Sequence, residues 1–227
     1  MKKKIAVFDI DGTLFRRSLF IELFYALVKE RTFSRAAYEE VKKQYLRWQD
    51  RKAGYEEYVE SMLRVFDAQI KGARASDVRR LSREVVKRSK HRVYVFTRDL
   101  IKKLRTDHTL IAISGSPMEM IKEFNRYWKF DYVFGEVHEI RRDRYTGRVT
   151  SDPVQEGKDV ILKKFLAAKG WSLRGSVGVG DTGSDISFLK LVSRPICFNP
   201  NRALFAYARR HKWTIMVERK DMVYTIA

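Results

Sequence analysis

Four short segments of the sequence carry side chains whose types and spacing suit joint chemistry. The first, Asp9-Ile10-Asp11-Gly12-Thr13, directly follows an apolar run. Carboxylates two residues apart on an extended strand point to the same side. One of them can attack as a nucleophile while the other donates and accepts protons. We therefore interpret Asp9 and Asp11 as a candidate catalytic pair, with Gly12 permitting the tight turn that follows.

Two further segments carry groups that suit phosphate. Ser114-Gly115-Ser116-Pro117 follows a predicted strand and precedes a predicted helix. Proline suits the first turn of a helix, and a hydroxyl together with backbone N–H groups at a helix start forms a phosphate cradle. Lys158 begins another predicted helix, where its charge opposes the helix dipole. Its ammonium can instead neutralise a phosphoryl oxygen and a nucleophilic carboxylate. Ser114, Gly115 and Lys158 are thus candidate phosphate-handling residues.

The fourth segment, from Gly180 to Asp185, places two acids in a glycine-bearing loop after a predicted strand. Mg²⁺ prefers oxygen ligands and often takes one or two carboxylates plus substrate phosphate. Asp181 and Asp185 are therefore candidate metal residues. Each segment alone has an ordinary explanation as a turn, a helix cap or a solvated lysine. Their order, and their position after strands, favours one site at the carboxyl ends of a parallel sheet.

The elements that position these segments follow from the hydrophobic pattern. Short apolar runs alternate with helical periodicity, which predicts a Rossmann-like α/β fold: a parallel sheet with helices on both faces. We predict strands at 5–8, 109–113, 132–134, 176–180, 195–198 and 213–217, helices at 97–104, from 118, at 158–169 and at 202–210, and a polar hairpin at 136–150 around 145–147.

Residues 16–90 differ from the rest because their apolar positions recur every three or four residues. Ser34 and Ser76 are candidate N-caps, and Gly54 and Gly72 mark breaks between segments. This pattern predicts about four helices. We expect an α-helical cap at 16–90 inserted into an α/β catalytic core formed by 1–15 and 91–227.

Composition limits the class of protein. The net charge of +19 is spread along the chain and is compatible with nucleic acid, an acidic membrane surface or an anionic small substrate. A single cysteine, Cys197, excludes an internal disulfide and fits a reducing compartment. The apolar run that begins at Ile5 ends before Asp9, too short for a signal peptide, and no stretch reaches the roughly 20 apolar residues of a membrane span. We expect a cytoplasmic protein with a small-molecule partner and no nucleic acid; the sequence leaves the oligomeric state open.

The four segments, in this order, resemble the motif set of the haloacid dehalogenase superfamily: Asp-x-Asp-x-Thr, a Ser or Thr after a strand, a Lys, and a Gly-Asp loop with a second Asp. The resemblance spans nearly the whole chain. The predicted insert after the first motif is similar to the helical cap of the phosphoserine-phosphatase-like branch. Tyr145-Thr146-Gly147 and the segment from Phe198 to Arg202 also resemble that branch.

The resemblance implies a Mg²⁺-dependent phosphatase that hydrolyses a small phosphomonoester through an aspartyl-phosphate intermediate. Asp9 would attack phosphorus, and Asp11 would protonate the leaving alcohol and then activate water. Having an acid at Asp11 favours phosphoryl transfer over dehalogenation. The remaining implied roles are charge neutralisation by Lys158, phosphoryl binding by Thr13 and Ser114, and metal binding by Asp9, the backbone carbonyl of Asp11, Asp181 and, through water or as an orienting acid, Asp185.

The substrate is less determined. Ser18 occupies the position at which phosphoserine phosphatases carry a glutamate for the substrate's amino group, which favours a related phosphatase with another substrate. Phosphoserine phosphatase proper and a phosphotransferase remain alternatives, and the non-enzyme alternative is a basic scaffold that binds nucleic acid or anionic lipid. Arg16 and Arg17 lie near the start of the predicted cap and could meet an anionic substrate, although solvated surface arginines are the simpler interpretation.

Overall fold

The computed structural model describes residues 4–226, which form one mixed sheet and nine α-helices. The strands are β1 Lys4–Phe8, β2 His108–Pro117, β3 Tyr132–Arg141, β4 Arg144–Ser151, β5 Val177–Gly180, β6 Arg194–Phe198, β7 Thr214–Arg219 and β8 Met222–Ile226. The helices are α1 Leu19–Lys29, α2 Arg35–Gln49, α3 Tyr55–Ile70, α4 Ala75–Ser89, α5 Val95–Leu104, α6 Met118–Trp128, α7 Lys158–Lys169, α8 Ile186–Leu189 and α9 Arg202–His211, with a 3₁₀ turn at Gly183–Asp185 before α8.

The sheet has the strand order β4-β3-β2-β1-β5-β6-β7-β8. β1 lies near its centre and pairs in parallel with β2 and β5, whereas the outer pairs β3–β4 and β7–β8 are antiparallel. Strands β2 and β3 are added on one side of β1, and the next parallel strand, β5, pairs with β1 on its other side. This reversal opens a crevice at the carboxyl ends of β1 and β5, where ligands bind in such sheets. The predicted α/β fold class is confirmed.

The alternation along β1 explains why helices cover both faces of the sheet. Successive side chains of a strand point to opposite faces, and Ile5, Ala6, Val7 and Phe8 are all buried. Ala6 and Phe8 pack into a core completed by α1 to α6. Ile5 and Val7 pack into a second core with α7, α8 and α9. Each face therefore excludes water, as a mostly parallel sheet requires.

Helices α1 to α4, called here the helical insert, lie between β1 and α5 in the chain, as the periodicity predicts. Ser18 caps α1 and Ser34 caps α2 through their side-chain oxygens. The prediction that Ser76 caps α4 is wrong, because the helix begins at Ala75 with Arg74 as its N-cap. The backbone N–H and hydroxyl of Ser76 instead donate to the Asp143 carboxylate at 2.9 and 2.6 Å. The division into a core and a cap at residues 16–90 stays a prediction.

The β3–β4 hairpin is longer than predicted and turns elsewhere. Its tip is formed by Arg142 and Asp143, both at positive φ, and not by residues 145–147. Tyr145 lies in β4, and its buried ring directs the hydroxyl to Glu119 at 2.7 Å. Other differences are that β2 continues through Pro117, that α5 begins at Val95, and that β8 was not expected.

A buried ion pair lies where the hairpin meets α3. His138 Nε2 is 3.4 Å from Glu136 Oε2, although the two atoms do not form a hydrogen bond. The His138 ring also contacts the Phe66 ring of α3. Burial alone would lower the pKa of His138, but the negative charges of Glu136, Glu119 and Asp67 outweigh it and raise that pKa. The protonated imidazole is therefore the favoured partner of the buried carboxylate.

Across residues 4–226, none of the helices has the length and apolar character needed to cross a bilayer. The cytoplasmic location stays a prediction.

Candidate active site

The acids and the lysine singled out in the sequence converge at the carboxyl ends of β1 and β5. Asp9 follows β1, Asp181 follows β5, and Lys158 is the first residue of α7. Asp9, Asp181 and Asp185 each direct a carboxylate oxygen into a cluster in which these oxygens lie within 4.8 Å of one another. Residues separated by up to 176 positions in sequence (Asp9 to Asp185) thus form one charged centre, because parallel strands present their ends at the same edge of the sheet.

Lys158 joins two of these acids. Its Nζ lies 2.6 Å from Asp9 Oδ1 and 2.6 Å from Asp185 Oδ1, and only 2% of its side chain is exposed. Burial alone would lower the pKa of Lys158, but the charges of Asp185 and Asp9 more than offset it and the pKa is raised. The ammonium therefore stays charged and holds the Asp9 side chain in one orientation.

Asp185 has both carboxylate oxygens occupied. While Oδ1 accepts from Lys158, Oδ2 accepts from the backbone N–H groups of Asp181 and Thr182, each at 2.9 Å. A Cβ at Gly180 would lie 2.6 Å from the Asp185 Cβ, so only glycine lets the strand end pass so close. With both carboxylate oxygens bonded to protein donors, Asp185 positions Lys158 and the Asp181 loop.

The second oxygen of Asp9 is different, because it is buried and has no hydrogen-bond partner among the described residues. Burial raises the pKa of Asp9 to about 7. The charges of Asp185 and Asp11 add to this rise, whereas the charge of Lys158 opposes it. Burial, together with the charges of Asp9 and Asp185, raises the pKa of Asp181 well above its usual range. The cluster thus holds more carboxylate charge than one lysine neutralises.

These observations fit a bound divalent cation. A buried oxygen without a partner costs free energy unless something binds it, and the donors here are all carboxylate oxygens, the type that Mg²⁺ prefers. Gly12, at a φ of +86°, lies against Asp181 so closely that a Cβ would collide with the carboxylate. Asp9 and Asp181 are therefore the residues best placed to hold the ion.

Asp11 lies at the edge of the same site and is held by three donors. The Leu19 backbone N–H donates to Oδ1 at 2.5 Å, and the hydroxyls of Ser114 and Ser116 donate to Oδ2 at 2.7 and 2.8 Å. Burial raises the pKa of Asp11 although these hydrogen bonds act to lower it. Ser116 also accepts from the Phe20 backbone N–H at 3.0 Å. The start of α1 is thus connected to Asp11 in two ways: Leu19 bonds it directly, and Phe20 bonds it through Ser116.

The two hydroxyls predicted to bind phosphate, those of Thr13 and Ser114, form hydrogen bonds to other site residues. Thr13 Oγ1 donates to Asp181 at 3.1 Å and Ser114 Oγ to Asp11, and both residues are fully buried. Their roles in holding phosphate stay predictions, as does a role for the Asp11 carbonyl in metal binding. Gly115 does line the cavity. Ser116 was not singled out from the sequence, although its spacing of two residues from Ser114 on an extended strand was the available signal.

A cavity of about 430 Å³ lies between the helical insert and this end of the sheet. Its floor holds Asp9, Asp11, Lys158 and Asp181. The rest of its lining is formed by Gly12, Arg16, Arg17, Ser18, Phe20, Tyr55, Val59, Leu63, Gly115, Ser116, Val154, Thr182 and Ser184. Tyr55 was also not anticipated, because an aromatic residue at a helix start is more often a packing residue than a site residue.

The fold and site define a class: an α/β protein with a helical insert after its first strand and a carboxylate–lysine centre at the carboxyl ends of its parallel strands. The chain belongs to the haloacid dehalogenase-like hydrolase family, whose model matches residues 6–190. The resemblance noted from the sequence is confirmed.

Individual relatives agree with this assignment. The chain is 31% identical over 104 residues to a phosphoserine phosphatase of Streptomyces coelicolor, a match covering 45% of this chain and 25% of that protein. It is 26% identical over 207 residues to a phosphoserine phosphatase of Archaeoglobus fulgidus, covering 89% and 54%. Among solved structures, a Bordetella pertussis Tohama I protein of unknown function matches with a TM-score of 0.74 at 21% identity, covering 95% and 98%. The chain thus spans from a quarter to about half the length of these two curated relatives.

Proposed function

We propose that the chain is a Mg²⁺-dependent phosphatase that hydrolyses a small phosphomonoester with Asp9 as the nucleophile. The observation that carries the proposal is the convergence of Asp9, Lys158 and Asp181 below one cavity, with Asp11 beside them. Membership of a hydrolase family and the phosphatase names of two relatives support it.

The first step is a displacement at phosphorus. A carboxylate oxygen of Asp9 attacks and forms an O–P bond, the bond between phosphorus and the alcohol oxygen breaks, and Asp11 gives its proton to the leaving alkoxide. The products are a neutral alcohol and a phosphoryl group on Asp9. Lys158, at 2.6 Å from Asp9, fixes the carboxylate and neutralises charge beside the phosphoryl oxygens.

The second step regenerates the protein. Asp11, now a carboxylate, takes a proton from water, the water oxygen attacks phosphorus, and the bond to Asp9 breaks to release inorganic phosphate. The three donors to Asp11 hold its carboxylate in place for both proton transfers. A magnesium ion held by Asp9 and Asp181 would supply positive charge to the phosphoryl oxygens.

The helical insert supports a small substrate because it forms one wall of the cavity and keeps bulk water from the reacting phosphorus. Phosphoserine is a second candidate, since two relatives carry that name. A phosphotransferase would use the same residues in the first step and replace water with an acceptor alcohol.

The test is hydrolysis of an aryl phosphate by the wild type and by Asp9→Asn, with magnesium and after chelation. We expect turnover that requires the ion and a loss of at least about 10³-fold in Asp9→Asn, because the nucleophile is removed. Asp50→Asn, which alters an exposed acid paired with Lys52, is the matched control and should retain wild-type turnover.

A trapping measurement locates the intermediate. Acid quenching during turnover, followed by peptide mass spectrometry, should find phosphate on Asp9 in the wild type and none in Asp9→Asn. Comparable turnover by Asp9→Asn, or phosphate on another residue, would show that the nucleophile is assigned wrongly.

A further inference from the structure

The wall of the cavity that faces the acids is apolar. Tyr55, Val59 and Leu63 lie four residues apart on α3, so they share one face of the helix, and all three line the cavity. Phe20 of α1 and Val154 of the loop before α7 extend this wall. None of these side chains is required by the chemistry at phosphorus, so the wall is free to contact the rest of the substrate.

Val154 approaches the reacting centre closely. A Cβ at Gly115 would lie 2.8 Å from the Val154 side chain, so glycine there lets Val154 pack directly over the end of β2. The apolar surface therefore begins immediately beside the site of the phosphoryl group. Carbon atoms near the ester oxygen would already be covered.

The charges around the cavity exclude one type of leaving group. Among the described residues that line it, the acids are Asp9, Asp11 and Asp181, and all three belong to the reacting centre. The nearby Glu22 lies at 3.5 Å from Arg17 and 3.8 Å from Arg92. A substrate ammonium directed at the α3 wall would thus be buried without a carboxylate partner, which is costly.

One polar group stands on the apolar wall. Burial, and then the charges of Asp11 and Asp181, raise the pKa of Tyr55 to about 12. Its hydroxyl therefore stays protonated at neutral pH. The Tyr55 ring packs edge-on against Trp48 with 5.2 Å between centroids, which keeps the phenol in place.

Taken with the proposed phosphatase function, on which this inference rests, these contacts define a substrate class. We propose that the α3 wall is the subsite for the leaving group, and that this leaving group is an alcohol with an apolar body and no ammonium. The volume of about 430 Å³ admits roughly ten to fourteen non-hydrogen atoms at the volume per molecule of liquid water. The phosphate group, counted with its ester oxygen, takes five of these atoms by its formula.

A series of n-alkyl phosphates from ethyl to hexyl tests the subsite without any mutation. We expect kcat/KM to rise by about three- to fourfold for each methylene that is buried against the wall. Propyl phosphate and phosphoethanolamine form a matched pair, because they differ by a methyl group in place of an ammonium. We expect kcat/KM for propyl phosphate to be at least tenfold higher than for phosphoethanolamine. We expect kcat/KM for phosphoserine to be as low as for phosphoethanolamine.

Two variants locate the effect on the wall. Leu63→Ala should reduce the gain in kcat/KM per methylene, because it removes part of the apolar face that the alkyl chain would contact. Leu63→Glu should raise kcat/KM for phosphoethanolamine relative to that for propyl phosphate, because it supplies a carboxylate partner for the ammonium. Leu46→Ala removes an exposed leucine of the same insert outside the cavity and is the matched control.

A binding measurement separates this inference from the proposed function. Calorimetry with n-alkylphosphonates and the Asp9→Asn variant should show the same rise in affinity with chain length. If no phosphate ester is hydrolysed but affinity rises in this way, the phosphatase proposal fails and the apolar subsite stands. If esters are hydrolysed with no dependence on chain length, or phosphoethanolamine or phosphoserine is preferred, the subsite is wrong and the phosphatase proposal stands.

Discussion

Replacing Asp185 by asparagine should destabilise the protein strongly, because the Asp185 carboxylate bonds both Lys158 and the loop that begins at Asp181. The Asp185 side chain is fully buried, and its partner Lys158 is 2% exposed. One oxygen accepts from the lysine at 2.6 Å, and the other accepts from the backbone N–H groups of Asp181 and Thr182. An asparagine has a single acceptor oxygen. Whichever way its amide turns, the NH₂ group faces either the ammonium or two N–H groups.

The magnitude follows from these contacts. Removing one partner of a buried ion pair typically costs about 3–5 kcal/mol. Because Lys158 keeps its bond to Asp9, we expect the lower end, about 3 kcal/mol. For a chain of this length, each kcal/mol lowers the melting temperature by about 2–4 °C. Asp185→Asn should therefore melt about 6–12 °C below the wild type.

Urea and thermal unfolding in the presence of a chelator measure this effect, since chelation removes any contribution from a bound cation. Asp50→Asn is the matched control: it removes the same charge from a pair with Lys52, in which the Lys52 and Asp50 side chains are 71% and 59% exposed. Exposed pairs contribute little, so the control should stay within about 0.5 kcal/mol of the wild type. If Asp185→Asn loses no more stability than the control, the buried ion pair does not support the fold as argued.

Three further variants test other parts of the structure. The raised pKa of His138 means that its pairing with Glu136 stabilises fully below the unfolded value of about 6.5 and is lost as pH rises through the folded value. The stability difference between wild type and His138→Gln should thus shrink from pH 6 to pH 9; an unchanging difference by urea unfolding would contradict this. Gly12→Ala and Gly72→Ala share a φ near +86°, so each should lose about 1–2 kcal/mol of stability through backbone strain, and Gly12→Ala should lose more because its Cβ collides with Asp181. Only Gly12→Ala should also cut aryl phosphate turnover at least tenfold, because only its Cβ meets Asp181. Equal turnover of the two variants would show that the close contact between Gly12 and Asp181 does not matter for the reaction.

The sequence predicts most of the site because the site residues follow strands. The hydrophobic runs that end at Asp9 and before Asp181 are short and fully buried, and such runs identify strands without knowledge of tertiary contacts. The predicted helix that starts at Lys158 has the same bounds in the structure. Parallel pairing then brings the strand ends together, which explains why distant segments could be assigned to one site.

The errors occur where contacts from elsewhere in the chain determine the local structure. The hairpin turn was expected near Gly147, because glycine is the usual residue at positive φ. Gly147 does have a positive φ, but it lies inside β4. The turn forms at Arg142 and Asp143 instead, where the Asp143 carboxylate accepts from Ser76 and Arg79 of α4. The same contacts explain why Ser76 is not a cap. Such side-chain contacts between distant segments leave no periodic trace in the sequence.

The first residues of the helical insert do more than connect it to the sheet. The backbone N–H of Leu19 is bonded to Asp11, and that of Phe20 to Ser116, which is itself bonded to Asp11. Transplanting a relative's insert onto this sheet would consequently disturb the acid together with the substrate wall. A chimaera that keeps residues 16–20 of this chain and exchanges only later positions would change substrate choice while sparing proton transfer.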